Sequence, residues 1–167
     1  PVESDVYIIT VPTPFRNKES SIPEPNIDYV IEAAKSIIPF LRPGNLIILE
    51  STSPVGTTEA ISKILQDETG FSSSELHIAY CPERVLPGRI LKELIHNDRI
   101  VGGLTSDASN RAKSFYQSFC LGDIHITNSR TAELAKLSEN SFRDINIAFA
   151  NELSCVCDEL NINTREL

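Results

Sequence analysis

The chain has 167 residues, enough for one full domain or for a truncated domain with an appended element. A hydrophobic fraction of 41% supplies a core, while 23 acidic against 15 basic residues give a formal charge of -8 and no Lys/Arg cluster, which argues against a nucleic-acid face. No apolar run approaches the roughly 18–20 residues needed to span a bilayer and no signal-peptide pattern is present, so the sequence predicts a cytoplasmic protein with no membrane partner.

In chain order, the first predicted strand is Val6–Val11. It is followed by a helix over Asn26–Leu41, with Ile27, Val30, Ile31, Ala34, Ile37, Ile38 and Leu41 at helical spacing, Asn26 as its cap and Pro43-Gly44 as its stop. A strand at Leu46–Glu50 leads to a helix from near Pro54, and a strand at Leu76–Tyr80 follows. Arg99–Gly102 is the fourth strand, Asp107–Phe119 a helix with Phe115, Tyr116 and Phe119 facing inward, and Asp123–Thr127 the fifth strand. The strands are nearly continuous in apolar residues, as strands covered on both faces are, and the alternating rhythm predicts an α/β fold with a parallel sheet. From Ser129 to Leu160 apolar residues recur every three or four positions with no Gly or Pro. That predicts one long amphipathic helix of the kind that bridges domains or lines a subunit interface. The division expected is therefore 1–128 and 129–167.

Cys81, Cys120, Cys155 and Cys157 form no CxxC, and His77, His96 and His125 are scattered, so no metal site is expected. The chain holds no Met and opens at Pro1 directly before its first strand, which predicts a piece of a longer protein.

Ligands of parallel α/β sheets bind beyond the carboxyl ends of the strands, so the loops there are the places to search. Val11-Pro-Thr-Pro14 stiffens the first loop and offers the Thr13 hydroxyl. Glu50-Ser-Thr-Ser-Pro-Val-Gly-Thr-Thr58 sets five hydroxyls at a helix start, which attracts anions and polar ligand groups; N-capping by Ser53 accounts for one or two of them. Cys81-Pro-Glu-Arg-Val-Leu-Pro-Gly88 holds the charged pair Glu83 and Arg84 between two prolines. On the long helix, Lys136, Asn140 and Arg143 fall within one narrow arc that can grip an anionic, hydroxylated ligand. An ordinary solvated face is the competing reading there, and Glu133, Glu139 and Asp144 fit it.

These four segments, with Ala132-Glu-Leu-Ala-Lys-Leu-Ser-Glu-Asn140 as the last, resemble the UDP-sugar 6-dehydrogenases in unbroken order from about Asp5 to the C-terminus. Cys81–Gly88 and Asn140–Glu152 look most like the branch acting on UDP-N-acetyl-D-mannosamine; the UDP-glucose branch usually has an apolar residue where this chain has Arg84.

The resemblance implies an NAD-dependent enzyme that oxidises a sugar C6 alcohol to a carboxylate in two hydride transfers, through a thioester on a cysteine. It places the family's Gly-rich pyrophosphate loop upstream of Pro1 and that cysteine downstream of Leu167. The chain would then be the second half of a Rossmann-like cofactor domain plus an interdomain helix, in a homodimer built through that helix. Thr13 and Thr52, with Val11, map onto NAD contacts. Glu83 maps onto a carboxylate implicated in hydrolysis, Lys136 onto the catalytic lysine, and Asn140 onto the group that shares its oxyanion or a water. Arg84, Val85 and Arg143, together with Lys136 and Asn140, map onto UDP-sugar contacts. A UDP-glucose or UDP-N-acetylglucosamine enzyme, or a non-catalytic binding or oligomerisation module, are the alternative readings.

Overall fold

The computed structural model describes residues 1–16, 22–85 and 88–167. Five strands form one sheet in the order β1 (Val6–Ile9), β2 (Leu46–Leu49), β3 (His77–Tyr80), β4 (Arg99–Gly103) and β5 (Ile124–Asn128). The helices are α1 (Asp28–Ile37), α2 (Thr57–Thr69), α3 (Ile90–His96), α4 (Ser106–Gln117) and α5 (Ser129–Glu159). The chain divides into two compact units, Pro1–Lys136 and Leu137–Leu167.

In the first unit, strand alternation sorts the apolar runs into two cores. Ile47 and Leu49 of β2 join Tyr7, Ile9, Ile78 and Tyr80 against Val30, Ala34, Ile61, Leu65 and Ala132, while Leu46 and Ile48 join Ala79 and Val101 against Ala112 and Tyr116. With both faces covered, every residue of β2 and β3 is buried, which explains the uninterrupted apolar run of β2; β3 is apolar apart from the buried His77 that opens it. Each fully buried Ile or Leu here contributes about 1.5–3 kcal/mol.

The sheet departs from the all-parallel expectation at one seam. β1, β2 and β3 pair in parallel, and so do β4 and β5, but β3 and β4 are antiparallel, with Ala79 opposite Gly103 and Tyr80 opposite Gly102. The reason is the connection: α3 returns the chain to the sheet edge it has just left, so β4 runs back beside β3. The start of β4 therefore lies at the carboxyl ends of β1, β2 and β3.

Other expectations shift locally. The first helix ends at Ile37 and tightens into a 3-10 turn over Ile38–Phe40, where Pro39 interrupts the helical ladder. Asn26 Oδ1 accepts from the Asp28 N–H at 2.9 Å, one position ahead of the helix boundary. Strand β1 stops at Ile9, because the two prolines of the next loop cannot extend a ladder. Phe119 lies beyond α4 and is 39% exposed rather than inward-facing.

The start of α5 sits against β4 at Gly102. A Cβ on that residue would stand 2.4 Å from the Asn128 carbonyl oxygen and 2.8 Å from the Ala132 Cβ. Only the missing side chain allows so close an approach.

The second unit consists of the remainder of α5 and a closing turn in which the Ile162 N–H donates to the Cys157 carbonyl at 2.8 Å. Cys157 is buried in it, whereas Phe142, Ile145, Phe149 and Val156 are exposed. Their spacing places these four on one helical stripe. Among the described residues, no helix is long and apolar enough to cross a membrane.

Candidate active site

At the carboxyl edge of β1 and β2 the two threonines meet: the Thr13 hydroxyl donates to the Thr52 carbonyl oxygen at 2.6 Å. Val11 is half-buried, and its carbonyl accepts from the Ser51 hydroxyl at 2.8 Å.

The hydroxyl-rich loop after β2 is not the open anion site its composition suggests. Ser51 bonds to Val11, Ser53 to the Ser51 carbonyl, Thr57 to the Pro54 carbonyl, and Thr58 to Glu133. Helix α2 begins at Thr57, later than Pro54 suggests, with Gly56 in a left-handed conformation (φ 97°) at its N-cap. Glu133 of α5 fills that helix end: its carboxylate accepts from the Gly56 N–H at 2.6 Å and from the Thr58 N–H and hydroxyl at 2.8 and 2.7 Å. Glu133 is fully buried, so it is no part of a solvated face. The Thr52 hydroxyl alone among those of the loop's buried and half-buried Ser and Thr residues has no hydrogen-bond partner among the described residues.

Beyond β3, Glu83 and Lys136 come together. The Lys136 ammonium donates to the Glu83 backbone carbonyl at 2.6 Å. The Glu83 carboxylate accepts from the Arg84 N–H at 2.6 Å on one oxygen and faces the Arg99 guanidinium at 3.4 Å on the other. The Arg84 guanidinium donates to the Asp98 carbonyl at 3.3 Å, and the Asn97 side-chain amide donates to the Arg84 carbonyl at 3.4 Å. The segment entering β4 thereby holds the loop Cys81–Val85. Val85 is half-buried, while Leu86 and Pro87 of the expected motif lie outside the described residues.

Behind this loop lies a buried polar cluster that the sequence reasoning missed. Arg99 donates to Cys120 Sγ at 3.0 Å and to the Leu94 carbonyl at 3.3 Å, and lies 4.0 Å from Glu50 Oε1. Its guanidinium stacks on Tyr116, 4.6 Å from the ring centroid, and the Tyr116 hydroxyl donates to Glu50 at 2.5 Å. Burial opposes the guanidinium's charge, but Cys120, Cys81 and Glu83 outweigh it and hold Arg99 firmly protonated. Burial raises the Glu50 carboxyl above its usual range, against the Tyr116 hydrogen bond and Arg99. Burial also pushes the Cys81 thiol up to about 11, which removes it as a nucleophile at neutral pH. The overlooked signal was a lone charge at the end of an apolar strand: Glu50 directly follows β2 and Arg99 opens β4, and buried charges need partners.

Asn140 and Arg143 belong to the second unit, where both are exposed.

A mostly parallel α/β sheet with polar groups gathered beyond the carboxyl ends of β1, β2 and β3 defines a scaffold of the dinucleotide-binding type. Residues 1–120 match the NAD binding domain of the UDP-glucose/GDP-mannose dehydrogenase family, and residues 130–167 match the central domain of the same family. The chain belongs to the UDP-glucose/GDP-mannose dehydrogenase family. It is 53% identical over 175 residues to UDP-N-acetyl-D-mannosamine dehydrogenase of Campylobacter jejuni, covering all of this chain and 42% of that protein. It is 47% identical to NDP-N-acetyl-D-galactosaminuronic acid dehydrogenase of Ralstonia solanacearum, covering all of this chain and 40% of that protein. The solved UDP-D-ManNAc dehydrogenase from Pyrococcus horikoshii superposes with a TM-score of 0.92 at 42% identity, over 99% of this chain and 38% of that one. The chain thus spans about two-fifths of the length of these relatives.

Proposed function

We propose that this chain is part of an NAD-dependent UDP-N-acetyl-D-mannosamine 6-dehydrogenase, a cytoplasmic enzyme that converts the sugar C6 alcohol to a carboxylate. The observation that carries the reading is the meeting of Lys136 with the Glu83 loop at the sheet edge where Thr13 and Thr52 also meet. The similarity to relatives named for UDP-N-acetyl-D-mannosamine supports the substrate.

The residues present fit one end of the dinucleotide. Thr13, Thr52 and Val11 would hold NAD, and the Thr52 hydroxyl is left available by its neighbours among the described residues. NAD, when bound, supplies the hydride acceptor. Lys136 stabilises the developing alkoxide with a fixed positive charge or serves as its acid/base. Glu83 orients or deprotonates the water of hydrolysis. Arg84 and Val85 contact the nucleotide sugar; in the second unit, Asn140 takes the role of an oxyanion or water ligand and Arg143 that of a nucleotide-sugar contact. The division at 1–128 and 129–167 separates cofactor domain from central segment, and the exposed stripe Phe142, Ile145, Phe149 and Val156 supports a homodimer built on α5.

The test is NADH formation by the full-length protein on purified UDP-N-acetyl-D-mannosamine, UDP-glucose and UDP-N-acetyl-D-glucosamine. Preference for the first by at least about tenfold in kcat/KM is expected. Equal or greater turnover of UDP-glucose would overturn the substrate assignment.

A further inference from the structure

We infer that Arg99 is a positioning residue for the Glu83 carboxylate, delivered by the reversed strand β4 and braced from behind by Glu50. The inference rests on the reading of Glu83 given above. Arg99 is 4% exposed, and both edges of its guanidinium are engaged. Nη2 reaches Glu83 Oε2 at 3.4 Å and the Leu94 carbonyl at 3.3 Å; Nε reaches Cys120 Sγ at 3.0 Å; Nη1 faces Cys81 Sγ at 3.9 Å and Glu50 Oε1 at 4.0 Å. The Tyr116 ring covers one face of the plane. A planar fork held on its edges and face has one orientation available.

The Glu83 carboxylate is correspondingly pinned at both oxygens, by the Arg84 N–H from its own loop and by Arg99 from the neighbouring strand. A half-exposed loop carboxylate needs no buried cation for its solvation. Burying a guanidinium is costly unless its partners are in place, and a rim ion pair would contribute little stability. What the arrangement provides is a fixed carboxylate beside the Lys136 contact, and misplacing such a group by about an ångström costs up to 10²-fold in rate. Only the antiparallel seam makes this possible, since a parallel β4 would present its first residue at the opposite sheet edge.

A double-mutant cycle in the full-length enzyme tests the inference, with UDP-N-acetyl-D-mannosamine and NAD as substrates. Arg99→Lys keeps the charge and loses the fork. Its kcat should fall about tenfold with KM for both substrates within about twofold, and the Arg99→Lys/Glu83→Gln double variant should be no slower than Glu83→Gln alone. A further fall in the double variant overturns the inference, because Arg99 would then act independently of Glu83. A Glu83→Gln enzyme with parental kcat sinks instead the reading of Glu83 itself. If Arg99→Lys does not fold, Glu50→Gln replaces it, removing the charge behind the guanidinium while keeping an acceptor for Tyr116. A several-fold loss of kcat that disappears in the Glu83→Gln background supports the inference; no loss, or a loss that persists there, overturns it.

Discussion

Glu133 and Thr58, far apart in sequence, are joined twice: one carboxylate oxygen accepts both the backbone N–H and the hydroxyl of Thr58, at 2.8 and 2.7 Å. With Gly56 on the second oxygen, the carboxylate caps α2 from a different element, and all of its partners are at least half-buried. Glu133→Ala should lower the unfolding free energy by about 3 kcal/mol, because it strands buried donors. Urea unfolding of the full-length protein checks this, and a loss below about 1 kcal/mol would show that water replaces the cap.

The same loop separates a structural hydroxyl from an available one. Thr58→Val should cost about 1–2 kcal/mol of stability. Thr52→Val should change stability by less than about 0.5 kcal/mol yet raise KM for NAD several-fold. Paired unfolding and steady-state measurements distinguish them; an unchanged KM in Thr52→Val removes Thr52 from the cofactor site.

The sequence made much of this legible and concealed the rest for identifiable reasons. All five strands and the long helix were readable, because continuous apolar runs and the 3.6-residue period report burial directly. Strand direction was not readable: Arg99-Ile-Val-Gly-Gly is as good a buried strand either way, and its sense depends on the short helix Ile90–His96, too brief to stand out. Arg99 opens its strand, and only the reversal of β4 brings that amino end to the carboxyl edge of β1, β2 and β3. The pairing of Glu133 with α2 escaped for a related reason, since a carboxylate on an otherwise polar helix face looks solvated until a distant loop closes on it.

Lys136→Met in the full-length enzyme should reduce kcat by roughly 10²-fold, the range for losing an acid/base or oxyanion group. Met keeps the length and apolar stem of the half-buried lysine while removing the ammonium that donates to the Glu83 carbonyl. Stopped-flow measurement of NADH formation at saturating substrate checks this, and a parental rate would exclude Lys136 from the chemistry.

Glu50 makes stability depend on pH. Its carboxyl is raised in the folded protein, chiefly by burial, so between the unfolded value near 4.5 and the higher folded value the native state binds more protons. Stability from this group is therefore full below pH 4.5 and declines as pH rises through that window. Relative to the parent, Glu50→Gln should gain stability between pH 4 and pH 7. Thermal melts across that range test the sign, and a relative loss for the Gln variant would reverse it.

Cys81 should resist alkylation at pH 8 in the native protein and react only after unfolding, since it is fully buried and its thiol is pushed up to about 11. Mass mapping of iodoacetamide adducts reads this out, and rapid native labelling at Cys81 would contradict it.

Gly102 has a consequence well away from its own strand. A methyl group there would collide with the Asn128 carbonyl and the Ala132 Cβ, so Gly102→Ala lifts the first turns of α5 away from β4. Lys136 rides on the next turn of that helix, with its ammonium 2.6 Å from the Glu83 carbonyl. A rise of about one ångström takes that contact beyond hydrogen-bonding distance. An absent side chain in the middle of the sheet thus acts as a shim, setting the height at which the lysine is carried over the neighbouring loop.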